Sequence, residues 1–147
     1  MIVERCYDVD VVRAILTHPA IYGCIAEDGT PPREDYIPDM ISAAYVVGIH
    51  DEPFALMMYH PVNGITWECH VQVLPEYRKD HAHEFAEKAV QWAWDMGCQK
   101  LVAQIPFLYP NVRDFGLAHG FVVEGVNEKS YLKNGEIHDQ WYLGRVR

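Results

Sequence analysis

The chain has 147 residues, half of them apolar, and a formal net charge of −9 with histidine neutral. That size and composition predict one globular domain with its own core, spanning 1–147, and exclude a disordered chain. The acidic balance, with no basic cluster, repels phosphate backbones, so no nucleic-acid binding is expected.

No apolar run reaches the roughly 18–20 residues of a membrane span, so no membrane partner is expected. The start, Met1-Ile2-Val3-Glu4-Arg5, lacks the pattern of a secretory leader, and a cytoplasmic location is expected. Cys6, Cys24, Cys69 and Cys98 are widely spaced without a C-x-x-C. They are expected as free, mostly buried thiols, with no metal site.

In chain order, residues 2–7 alternate as a first strand. Asp8 or Asp10 then caps a helix over 10–18, whose buried side is Val11, Val12, Ala14, Ile15 and Leu16. From Ala26 to Met40 the chain is acidic and proline-rich and reads as loop with at most a helical turn. Three strands follow, at 43–50, 54–60 and 65–74, with Asn63-Gly64 predicting a type I′ hairpin between the last two. Apolar residues from Ala82 to Ala93 recur at three- and four-residue steps and predict a helix over 80–96, with Asp80 as its N-cap and Gly97 past its end. Trp92 and Trp94 flank that stripe as core edge. A strand over 99–105, a short helix over 111–118 and a hairpin around Lys133-Asn134-Gly135 complete the chain. The predicted fold class is α/β (α+β), in the order β-α-β-β-β-α-β-α-β-β, with a sheet covered by helices on both faces.

Two segments carry a resemblance. Val71-Gln72-Val73-Leu74-Pro75-Glu76-Tyr77-Arg78 runs from a strand into the long helix, and Asn111 opens a helix that ends at Gly120-Phe121. Together they resemble the GCN5-related N-acetyltransferase (GNAT) family, whose mixed, mostly antiparallel sheet has this element order. The resemblance implies acetyl-coenzyme A as cofactor. Its pantetheine arm would pair with the backbone at Gln72 and Val73, and its pyrophosphate would rest on main-chain amides after Arg78. Asn111 belongs to the second signature.

The family's loop after the arginine is glycine-rich, whereas this chain has Lys79, His81 and His83 at the glycine positions. Side chains there occupy phosphate space, and an unusual backbone conformation at each would cost about 1–3 kcal/mol. Lys79 and protonated histidines could instead attract phosphate as charges. His81 and His83 diverge by roughly 200° on a helix and do not form a metal pair.

For the chemistry, Glu68 is the candidate base, because family members carry a central-strand glutamate that deprotonates the amine. By period two Glu68, His70 and Gln72 share one strand face, and Trp67, Cys69, Val71 and Val73 the other. The family's thiolate-protonating tyrosine falls on Gly116, and Tyr109 is the substitute from the preceding loop. The chain also resembles small GNAT-like proteins of tailed bacteriophages, some of them head-assembly or virion proteins. That likeness rests on Glu4-Arg5-Cys6-Tyr7, Ala26-Glu27-Asp28-Gly29, Val73 through Lys79, Tyr109-Pro110-Asn111-Val112 and Val123 through Asn127 with Lys129-Ser130. It implies a non-catalytic protein of the host-cell cytoplasm or the virion, binding a phage structural or assembly protein or a second copy of itself. The 26–40 segment, with Tyr36 and Ile37, is the expected contact surface. The alternatives are an acetyl-coenzyme A-dependent N-acetyltransferase acting on an amine, and a small-ligand or host-factor binding module.

Overall fold

The computed structural model describes residues 1–147. Strands β1 (Ile2–Cys6), β2 (Ala44–Ile49), β3 (Pro53–Pro61), β4 (Thr66–Val73), β5 (Lys100–Pro106), β6 (Val122–Lys133) and β7 (Glu136–Val146) form one sheet in the order β1-β2-β3-β4-β5-β7-β6. Every neighbouring pair is antiparallel except β4–β5, which is parallel. Helices α1 (Val9–Leu16), α2 (Pro19–Ile25), α3 (Arg78–Asp95) and α4 (Pro110–Ala118) join them. The predicted fold class and the strand sequence are both found.

The expected helix over 10–18 is α1, and a second helix that was not expected, α2, follows it. Asp8 caps α1, its carboxylate accepting from Asp10 N. Pro19 disfavours helical backbone at the residue before it, so α1 stops at Leu16 and the chain restarts with Pro19 in the first turn of α2. The 26–40 stretch holds only a 3-10 turn at Arg33–Asp35, as expected.

One hydrophobic layer lies under α3: its Ala82, Phe85, Ala89, Val90, Ala93 and Trp94 pack on Val46, Phe54, Tyr59, Cys69, Val73 and Leu101. The second lies under α1 and α2, where Val12, Ile15, Leu16 and Ile21 meet Tyr45, Val47 and Leu56. The alanines bring α3 close to the sheet, so the Tyr59 hydroxyl donates to Ala89 O at 2.7 Å. Trp94 is buried and Trp92 stacks on Tyr59 with ring centres 5.7 Å apart. Of the four thiols, all free, Cys69 and Cys98 are buried but Cys24 is exposed and Cys6 half-buried, so burial is less general than expected. Burial pushes the Cys69 thiol up to about 12.

The Asn63-Gly64 expectation fails. Neither residue has a positive φ. The Asn63 side chain instead accepts from Ile65 N and Thr66 N, at 3.0 and 2.9 Å, in a four-residue loop. Asn134 and Gly135, with φ of 53° and 76°, do make the type I′ turn between β6 and β7. That turn is anchored from afar: Asp28 accepts from Asn134 N and Gly135 N at 2.7 and 2.9 Å, and Lys133 Nζ donates to Gly23 O. The 26–40 loop is thereby fastened across the face of the sheet that α1 covers.

Gly48 on β2 lies beneath Phe85, where an added Cβ would come within 2.6 Å of the ring and 3.2 Å of Phe54. Gly48→Ala is therefore expected to lower stability by about 1–3 kcal/mol in denaturant unfolding. Gly64→Ala, which meets nothing within 4 Å, should change it by less than about 0.5 kcal/mol.

Candidate functional site

β4 and β5 pair over three residues only, Thr66–Glu68 opposite Lys100–Val102. β3 follows β4 as far as Val73, and β7 follows β5 as far as Pro106. Past Glu68 and Val102 the two central strands therefore part, each keeping its outer neighbour. Glu68 stands at the apex of that split. The period-two reading holds: Cys69 and Val73 are buried under α3. Glu68, His70 and Gln72 pair with His60, Met58 and Leu56. Leu56 and Met58 belong to the α1 layer, so this row faces the other side.

His70 Nε2 lies 2.8 Å from Glu68 Oε1, and both side chains are partly buried. This hydrogen bond from His70 holds the Glu68 carboxyl below the usual glutamate range against the opposing effect of burial, with Gln104 and His60 adding to it. Gln104 accepts from Asn127 Nδ2 at 2.8 Å, and the His60 ring meets His70 edge-on at 6.3 Å. The result is an ionised carboxylate among polar side chains. A general base works best with a pKa near the working pH, and Glu68 has been moved away from it. The arrangement suits holding a cation better than taking its proton.

Tyr109 precedes α4 at its N-cap. Its hydroxyl accepts from Lys133 Nζ at 2.7 Å, and burial together with the neighbouring Tyr109 pushes the Tyr131 hydroxyl up to about 12. No hydrogen bond links Tyr109 to Glu68. A Cβ on Gly116 would come within 3.0 Å of Leu143 Cδ2, so a side chain there would press on a fully buried leucine.

The segment after β4 differs from expectation. A 3-10 turn at Pro75–Tyr77 runs straight into α3, whose N-cap is Tyr77 without a side-chain cap. The expected N-cap, Asp80, lies inside the first turn. No residue from Val73 to Asp95 has a positive φ, so Lys79, His81 and His83 carry none of the anticipated backbone strain. What they do is fill space. Lys79 is exposed, and His81 packs among His50, Phe54 and Tyr77 with ring centres 5.2–5.9 Å away. His83 turns towards α4, its Nδ1 2.8 Å from His119 Nε2. Arg78 Nε donates to Val73 O at 2.9 Å, so the strand end expected to lie beside pantetheine already has a protein partner. Gln72 is half-buried, and Asn111, on the first turn of α4, is exposed and bonded to no other side chain. Two surface depressions, about 420 and 280 Å³, lie against α1, and neither is lined by α3 or β5. No three His, Cys, Asp or Glu side chains converge as a metal site would need.

No protein-family model matches the sequence, and no curated protein is significantly similar. Solved structures are. Ribosomal-protein-alanine N-acetyltransferase from Brucella melitensis superposes with a TM-score of 0.78 at 14% identity, covering 100% of both chains. A GNAT superfamily phosphinothricin acetyltransferase from Sinorhizobium meliloti, in complex with acetyl-coenzyme A, gives 0.75 at 16% identity over 99% of this chain and 87% of that one. The chain has the GNAT fold. At these identities the likeness extends to architecture alone. Of the residues singled out from the sequence, the GNAT fold brings Glu68, His70 and Gln72 onto one strand face. It sets Tyr109 with the last hairpin, and it parts His81 from His83.

His70→Ala is expected to raise the Glu68 pKa towards the ordinary glutamate value, followed by carboxyl-carbon NMR. Because the folded pKa is depressed, the pair stabilises the fold above about pH 4.3 and the effect fades as pH falls through the lowered value. In the variant that acid-dependent part should shrink.

Proposed function

We propose that this is a non-catalytic GNAT-fold protein that acts through protein contacts in the assembly of a tailed-bacteriophage head or virion. The observation that carries the non-catalytic half is Arg78 seated on Val73 O, where an arginine side chain competes for main chain that a pantetheine arm would pair with. The filled, wholly helical start of α3 and the lack of a tyrosine at Gly116 support the same reading. The phage setting rests on the sequence resemblance described above and places the protein in the host cytoplasm or the particle. Acetyl transfer to an amine is the second reading, favoured by the ionised Glu68 at the apex of the split.

Calorimetry with acetyl-coenzyme A separates the two. Dissociation constants near millimolar or weaker are expected, about 4 kcal/mol of binding free energy or less. Saturable micromolar binding would sink the proposal and bring the transferase forward. Lys79→Gly, His81→Gly and His83→Gly together are not expected to restore affinity, because Arg78 still holds Val73 O.

The proposed contact surface needs one revision. Tyr36 stands against Tyr22, ring centres 5.5 Å apart, and borders the α1 layer, so it belongs to the core edge and not to a free surface. Ile37 and Ile41 are 73% and 99% exposed. Asp39 holds the intervening turn, its Oδ1 accepting from Ile41 N and Ser42 N at 2.9 and 3.0 Å. A rigid apolar projection of this kind suits a partner's pocket. Ile37→Ser with Ile41→Ser should abolish association with a phage structural protein, or with a second copy, at an unchanged thermal midpoint. Tyr36→Ser should lower the midpoint instead. Association that survives the double isoleucine variant would put the interface elsewhere.

A further inference from the structure

A chain of four side chains lies away from Glu68, and only its first member, His83, entered the readings above. His83 and Glu87 lie one turn apart on α3, His119 ends α4, and Arg145 comes from β7. His83 Nδ1 is 2.8 Å from His119 Nε2, and His119 Nδ1 is 2.6 Å from Glu87 Oε1. Arg145 donates to Glu87 Oε1 at 3.2 Å and to His119 O at 2.6 Å. Phe115 packs on both imidazoles, 5.0 and 4.6 Å between ring centres. His119 is only 7% exposed, while His83 and Glu87 reach the surface.

Counting hydrogens assigns the protons. A carboxylate can only accept, so His119 Nδ1 carries a hydrogen towards Glu87. A single hydrogen then lies between His119 Nε2 and His83 Nδ1. With both rings neutral it belongs to His83, and His83 Nε2 faces solvent with its lone pair. One added proton can go onto that open nitrogen without breaking a bond. A second has no place, because it would set two N–H groups head to head.

We propose that this chain is an acid-released fastening, which holds α4 against α3 while the two rings carry at most one added proton and lets go when the second arrives. A histidine side chain free in water charges near about 6.5, and once detached each ring has an open nitrogen for that proton. The detached state therefore binds more protons than the fastened one, and the fastening weakens as pH falls below that value. Glu87 responds later. Burial works to raise its carboxyl, but the hydrogen bonds from His119 and Arg145 more than offset this and hold it below the usual range. Its contribution accordingly lasts into stronger acid. The nearby charges are paired among themselves: Glu84 with Lys88 on α3, Arg113 with Asp114 on α4, and Lys100 with Glu124 across β7.

The test is amide hydrogen exchange of α4 between about pH 7.5 and 5.5, corrected for intrinsic rates and referred to α1, with histidine nitrogen shifts recorded alongside. The expected result in the unmodified chain is His119 as the Nδ1–H tautomer. The α4 opening constant should rise up to about tenfold per pH unit below pH 6.5, the slope of one extra proton. His83→Ala, at an exposed position, removes the opposing ring and should abolish the pH dependence while leaving α1 unchanged. A flat profile in the unmodified chain, the same slope in His83→Ala, or His119 as the Nε2–H tautomer would each overturn the proposal.

Discussion

The three-residue parallel contact between β4 and β5 is the constraint on which the rest of the molecule hangs. It is the joint between two antiparallel blocks, β1 to β4 on one side and β5, β7 and β6 on the other. A parallel pair requires a crossover, and α3 supplies it, packing its alanine face over the strands it connects. Because the pairing ends at Glu68 and Val102, the sheet divides there. A carboxylate on the apex residue is consequently both half-buried and near unpaired backbone. His70, Gln104 and His60 are what make that placement tolerable for a charge.

The same crossover sets how α3 meets its surroundings at its start. Arg78 folds back to Val73 O, His81 enters the aromatic group beneath β2 and β3, and His83 reaches α4. The two histidine contacts use space that glycines would have left open. The first turn is thus built into the fold at three points and is not a free loop awaiting a ligand. Burial of side chains stabilises this region where a glycine-rich loop would leave it mobile.

Local patterns were legible where one segment decided its own structure. The spacing of Ala82, Phe85, Ala86, Ala89, Val90 and Ala93 located α3, and period two placed Glu68 and Cys69 on opposite faces. Asn-Gly occurs twice, and the two copies behave differently. Asn134-Gly135 forms the predicted turn, whereas the Asn63 side chain captures the amides of Ile65 and Thr66 and holds a longer loop. A dipeptide preference of this kind yields to whichever hydrogen bonds the flanking register allows. The helix α2 escaped notice because Pro19 reads as a breaker, although at the first position of a helix proline is favourable. The His83–His119–Glu87–Arg145 chain could not be seen at all: its bonded partners lie 26 to 58 residues apart, and no local pattern encodes them.

The anchoring of the last turn by Asp28 has a temporal side. Asp28 and its amide partners Asn134 and Gly135 are separated by more than a hundred positions, and Lys133 spans a similar gap to Gly23. Synthesis proceeds from the N-terminus, so α1 and α2 leave the ribosome long before the hairpin that secures the segment after them. Until β6 and β7 have emerged and turned back, that proline-rich acidic stretch is held at Pro31, Glu34 and Tyr36 by α1 and α2 but not at Asp28. The Asp28 end of that segment therefore matures last, after the part that carries Ile37 and Ile41 can already have docked on α1 and α2.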